Sequence, residues 1–146
     1  HTRSTRDWSS DVCSSDLIDK YCEEHGLLFH DKEMNDIVMQ ARPTIGYFKE
    51  HFNLARPHEV DPSIKPMSST TNKPRAYPSG HATQSMLVGL YVADKFPEHR
   101  RGVIRAAKEW GLGRVKAGFH YLADFVAGNL LAEAVEISPK SRIYFK

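Results

Sequence analysis

Three short segments of this 146-residue chain concentrate groups that handle phosphate. The first is Lys49-Glu-His-Phe-Asn-Leu-Ala-Arg56-Pro57, the second Tyr77-Pro78-Ser79-Gly80-His81, and the third Gly113-Arg114-Val-Lys-Ala-Gly-Phe-His120-Tyr-Leu-Ala-Asp124. Lys49, Arg56 and Arg114 offer three cations. A phosphoryl group in transfer spreads negative charge over three equatorial oxygens, which such cations stabilise without a metal. Pro78-Ser79-Gly80-His81 reads as a helix start, where unpaired N–H groups and the helix dipole favour an anion. Gly80 lets a phosphate oxygen come close to the backbone. His120 and Asp124 are four apart, a spacing that puts both on one face of a helix. A carboxylate there holds one imidazole nitrogen and leaves the other as a nucleophile. His81 is suited to protonate a leaving alkoxide.

Each signal has an ordinary explanation when taken alone. A lone Lys or Arg is usually a solvated charge, a His four before an Asp is often a surface pair, and Pro-Ser-Gly opens many helices. The weight lies in their combination and order. That order resembles the signature of the type 2 phosphatidic acid phosphatase superfamily: Lys, six residues, Arg-Pro; then Pro-Ser-Gly-His; then Ser-Arg, five residues, His, three residues, Asp. Lys49, Arg56, Pro57, Pro78, Ser79, Gly80, His81, Arg114, His120 and Asp124 match it at the required local spacings. Each identity arises by chance about one time in twenty from average usage, so coincidence does not account for the set. The resemblance runs from about Met34 to Val135. Its one departure is Gly113, where the family usually has Ser; no charged or nucleophilic role depends on that hydroxyl.

The resemblance implies an all-α, single-domain helical bundle of the acid phosphatase/vanadium haloperoxidase type. It implies a metal-independent phosphomonoester hydrolase in which His120 becomes phosphorylated, Asp124 orients it, and His81 acts as general acid and then activates water. Lys49, Arg56, Ser79, Gly80 and Arg114 would hold the phosphate of a small phosphorylated substrate. No cofactor is implied, and vanadate is expected as an inhibitor. The stretch Tyr77 to Val135 is most similar to the soluble class A bacterial acid phosphatases, which suggests a periplasmic or secreted setting. An acid optimum fits, since His81 must begin protonated while His120 is neutral. Three alternatives remain: a vanadium-dependent haloperoxidase with vanadate as cofactor, a membrane-type lipid or prenyl-diphosphate phosphatase, and a phosphate-binding module without catalysis.

Positioning these residues calls for helices. Ile18 to Phe29 is amphipathic and broken at Gly26. Asp31 suits the N-cap of a helix carrying Met34, Ile37, Val38 and Ala41, which Pro43 is expected to end or kink. A further helical stretch covers Thr44 to Phe52. A long loop, Asn53 to Tyr77, comes next, with four prolines and the polar run Ser68 to Asn72; loops of this length are usually functional or disordered. Helix resumes near Ser79 and runs to Phe96, and Pro97 opens the next. Gly118 marks a break, and a last helix is expected from His120 or Tyr121 until before Pro139. No β-type alternation and no internal repeat appears.

The run His1 to Leu17 has no apolar periodicity and no signal-peptide pattern, and reads as a translated DNA-sequencing adaptor, disordered and outside the fold. On that reading Ile18 to Lys146 is a phosphatase catalytic domain cut off before its natural beginning. Setting the run aside removes two Arg and three Asp from the 20 basic and 18 acidic residues, leaving 18 and 15, a net +3. That mild charge, without long Lys/Arg blocks, does not suit a nucleic-acid partner. The longest apolar run, Met86 to Ala93, falls far short of the roughly 18 residues needed to span a bilayer. Cys22 is the one cysteine outside the adaptor-like run, so neither a disulfide nor a zinc site is implied, and it reads as passive. His25, His30, His51, His58 and His99 lack metal-like spacing and are expected to be exposed. His58 is a candidate for the pocket mouth, and Tyr77 and the polar loop run are candidates for shaping substrate choice. No feature of the sequence encodes an oligomeric state.

Overall fold

A computed structural model describes residues 16–28, 31–65 and 75–137. Ser68 to Asn72, His30 and most of the adaptor-like run lie outside these residues. The architecture is all-α: α1 (Asp16–His25), α2 (Asp31–Phe52), the single turn α3 (Pro57–Val60), α4 (Gly80–Lys95), α5 (Arg100–Lys116) and α6 (Leu122–Ile137). Among the described residues there is no strand.

Helix α1 begins at Asp16, so the last two residues of the adaptor-like run are helical, and Leu17 packs against the core beside Ile18 and Cys22. It stops at Gly26, whose φ of +67° is the left-handed conformation glycine tolerates. Leu27 N–H bonds to Cys22 O and Gly26 N–H to Glu23 O, the paired bonds of a Schellman stop. Burial raises the Cys22 thiol to about 11, which keeps it un-ionised and passive.

Proline at position 43 does not end α2. The helix continues through it to Phe52. Pro43 is exposed, and the lost N–H bond is outweighed because Met34, Val38, Ala41 and Ile45 form one buried stripe across it. Asp31 is the first helical residue, within the usual uncertainty of a helix boundary.

Helix α4 is the centre of the molecule, packed against α2, α5 and α6. Residues 81–90 are all buried, so it lacks the one-sided pattern of a surface helix. Pro97–His99 forms a 3-10 turn before α5. On α5, Val103, Ala107 and Gly111 face the core, and Arg114 continues the same buried face. Helix α6 crosses α4 at Gly128, where a Cβ would lie 2.7 Å from Ser79 O and 2.9 Å from Ala82 Cβ. His58 and His99 are partly buried rather than exposed, and His99 Nδ1 meets Tyr21 OH at 3.0 Å.

Candidate active site

The site forms where the starts of α4 and α6 meet the ends of α2 and α5. Ser79 caps α4, its Oγ accepting Ala82 N–H at 3.2 Å while keeping its own O–H to donate. Ser79 N–H donates to Asp124 O at 3.0 Å, which ties the two helix starts together. Their dipoles therefore present positive ends to one region. His81 lies in the first turn of α4 and is buried.

The expectation that His120 and Asp124 share a helix face needs correction. His120 precedes α6, which starts at Leu122. Gly118, with φ of +89°, closes α5 in a second Schellman stop: Phe119 N–H bonds to Arg114 O and Gly118 N–H to Val115 O. The chain leaves this turn with Phe119 and His120 outside any helix. Asp124, in the first turn of α6, accepts Tyr121 N–H on Oδ2 at 2.8 Å. The same oxygen lies 3.3 Å from His120 Nδ1. A capped helix start, not helical periodicity, brings the pair together.

Arg56 approaches from the other side. Its Nη1 donates to Phe119 O at 2.9 Å and lies 3.1 Å from His120 Nε2. A guanidinium can only donate, so Nε2 is the acceptor and carries the lone pair. The ring hydrogen then sits on Nδ1, facing Asp124. Burial is the main cause that pushes His120 down to about 4; the Asp124 hydrogen bond raises it, and Arg56 and Lys49 lower it further. The imidazole is neutral at neutral pH, with its lone pair exposed to the cation side.

Lys49 stands in the last turn of α2 with Nζ donating to Arg75 O at 2.6 Å. Burial, then the charge of Arg56, lower it to about 7; Asp124 opposes them, and Arg114 adds a smaller lowering. Burial and Arg114 likewise lower Arg56 to about 10, which leaves it charged. Arg114 is buried with its guanidinium 4.1 Å from the centre of the Phe119 ring. At Gly80 a Cβ would lie 3.7 Å from Lys49 Cε and 3.6 Å from Ile45 Cγ2, so a methyl group would stand at the foot of the lysine. Gly113 is exposed, and a Cβ there meets nothing within 4 Å, so a serine fits without displacement.

Three participants escape motif reading. Glu59 accepts Arg56 N–H at 2.7 Å and pairs with Arg75 at 3.3 Å. Arg75 contributes its main-chain oxygen to Lys49, and Phe119 contributes both its oxygen and its ring. A glutamate three residues after the start of a turn is a weak capping signal; main-chain acceptors leave no mark in residue types. Among the described residues no cluster of three or more His, Cys, Asp or Glu is arranged to hold a metal.

The family model of the PAP2 superfamily matches residues 37–138, a span that contains every one of these groups. The chain belongs to the PAP2 superfamily. This PAP2 chain is 31% identical over 91 residues to an acid phosphatase of Zymomonas mobilis, covering 60% of the chain and 34% of that protein. It is 36% identical over 70 residues to a non-specific acid phosphatase of Salmonella typhi, covering 48% of the chain and 28% of that protein. The PAP2 chain thus matches about a third of the length of these curated relatives. No helix among the described residues is long and apolar enough to cross a membrane.

Proposed function

We propose that this PAP2 chain hydrolyses small phosphomonoesters through a phosphohistidine on His120, without a metal. The observation that carries the reading is the pair of contacts on the His120 ring, Asp124 at Nδ1 and Arg56 at Nε2, which leaves the lone pair on the attacking nitrogen. The phosphatase names of the two relatives support phosphate-ester hydrolysis, the coarser part of this reading.

In the first step Nε2 attacks phosphorus and the P–O ester bond breaks. His81 gives its proton to the leaving alkoxide. His120 becomes a cationic N-phospho imidazole whose Nδ1–H stays on Asp124, a charge that the carboxylate stabilises. In the second step His81 takes a proton from water, the hydroxide attacks phosphorus, and the P–N bond returns its electrons to Nε2. Lys49, Arg56, Arg114 and the α4 start hold the three equatorial oxygens in both steps.

The test is hydrolysis of an aryl phosphate in chelator, with His120→Ala alongside. Activity that survives chelator, is lost in the variant, and gives an acid-labile phosphoprotein on rapid quench is expected. Undiminished turnover in His120→Ala overturns the nucleophile, and loss of activity in chelator overturns metal independence.

A further inference from the structure

Helix α2 ends in a row of aromatic rings that the phosphate chemistry does not use. Phe52 is its last residue, 46% exposed, and the next residue, Asn53, has φ of +49°. That left-handed residue turns the chain sharply. Leu54 O then accepts Ala76 N–H at 2.9 Å, which draws the segment before Ser79 alongside the end of α2. Phe52 and Tyr77 meet as a result, edge to face, with ring centres 5.0 Å apart at 83°. Phe48 lies behind Phe52 with its ring stacked at 6.3 Å. Leu54 adds a side chain 47% exposed.

The position of this rim relative to the phosphate cradle is set by the same two chain segments. Lys49 faces Gly80, and Phe52 faces Tyr77: three residues on along α2, three residues back from α4. Three residues of helix rise about 4.5 Å, so the rings stand one step further along α2 than the lysine, at its exposed end. Single exposed apolar side chains are common on proteins. Here several rings and a leucine are grouped, pinned by a main-chain bond, and continuous with a cation site that would hold the substrate's anionic end.

We infer that Phe52 and Tyr77 form a leaving-group subsite, and that the favoured substrates are aryl phosphomonoesters. This rests on the phosphatase reading above. With phosphate on Lys49 and Gly80, an ester substituent pointing outward reaches ring faces and edges, which a flat aromatic group fills and a short alkyl group does not. The rings are held before binding, so little ordering is needed when the substituent arrives.

Phosphonates, which carry a P–C bond in place of the ester oxygen and are not hydrolysed, separate the two ideas. Calorimetry compares phenylphosphonate with methylphosphonate on the wild type, Phe52→Ala and Phe52→Tyr. The wild type is expected to bind the phenyl compound at least about fivefold more tightly, as one aromatic contact provides. In Phe52→Ala that ratio falls below twofold, with the loss borne mainly by the phenyl compound, and Phe52→Tyr restores it. A ratio near one in the wild type, or one unaltered in Phe52→Ala, overturns the subsite while leaving the cradle intact. Failure of the wild type to bind either phosphonate, with inorganic phosphate also unbound, overturns the phosphatase reading and the subsite with it. Equal weakening of both compounds in Phe52→Ala, with Phe52→Tyr unable to restore either, also overturns the subsite.

Discussion

Nη1 of Arg56 lies 3.1 Å from Nε2 of His120, so the nitrogen assigned the attack on phosphorus is already an acceptor before substrate arrives. The guanidinium fixes the tautomer, with the ring hydrogen on Nδ1 and the lone pair on Nε2. Replacing Arg56 with Met removes a positive charge that lowers the His120 pKa. The His120 pKa is therefore expected to rise from about 4, read by NMR titration of the ring. Loss of a preorganised transition-state donor is expected to cut kcat by about 100-fold or more. An unaltered His120 titration in Arg56→Met contradicts the contact.

Two depressed pKa values bound the pH response. The proposed mechanism requires a free enzyme with a neutral His120, whose pKa is lowered to about 4, and a charged Lys49, whose pKa is lowered to about 7. The profile of kcat/KM, which reports the free enzyme, is expected to fall below about 4 and above about 7. Lys49→Arg is expected to move the upper limb to higher pH; an unmoved limb assigns it to another group. Stability carries a matching signature. Between the folded value near 4 and the ordinary value of 6.5, the unfolded chain binds more protons at His120 than the folded one. The contribution of His120 to stability is therefore complete above 6.5 and lost as pH falls toward 4, which urea titrations across that range check.

How much of the fold and the site is legible in the residues depends on what each feature is made of. The cations, the histidines and Asp124 announce themselves by type and local spacing, and helical periodicity at Met34, Val38 and Ala41 indicates the all-α class. The route by which His120 reaches Asp124 is misleading in the sequence, because a spacing of four fits both a helix face and a capped turn. Gly118 holds the information, since a left-handed stop places the residues after it outside the helix. Pro43 misleads for the opposite reason: a local helix breaker is overruled by burial of Ile45 beyond it. Arg75 and Phe119 act through main-chain oxygens, which every residue type possesses.

Two glycines on different helices should respond oppositely to alanine. At Gly128 a Cβ would lie 2.7 Å from the Ser79 backbone oxygen, which cannot step aside. Overpacking of this kind costs about 1–3 kcal/mol, more than the gain of about 1 kcal/mol in helix propensity. At Gly46, inside α2, nothing lies within 4 Å, so only the propensity gain applies. Gly128→Ala is expected to lower Tm and reduce kcat, since Ser79 also bonds to Asp124 O; Gly46→Ala is expected to raise Tm. Thermal denaturation of the two variants, side by side with the wild type, checks this, and a shift of the same sign in both refutes it.

Glu59 joins the segment bearing Arg56 to Arg75, whose oxygen receives Lys49. Glu59→Gln keeps an oxygen for Arg56 N–H but loses the charge facing Arg75, and Glu59→Ala loses both. A several-fold rise in KM is expected for the alanine variant, with the glutamine variant intermediate and kcat little altered in either. Steady-state kinetics at two salt concentrations resolve the two contributions, because the exposed ion pair is screened and the backbone bond is not.

The Schellman turn at Gly118 has a consequence for how such a chain can drift over generations. It fixes how many residues separate Arg114, in the last turn of α5, from His120, which lies just past the turn. Substitutions at Val115, Lys116 and Ala117 keep this count, whereas position 118 must hold its left-handed conformation and Phe119 its buried ring against Arg114. Insertion or deletion of even one residue there rotates the imidazole away from both Arg56 and Asp124. The segment is in effect a ruler, permissive about letters and strict about length.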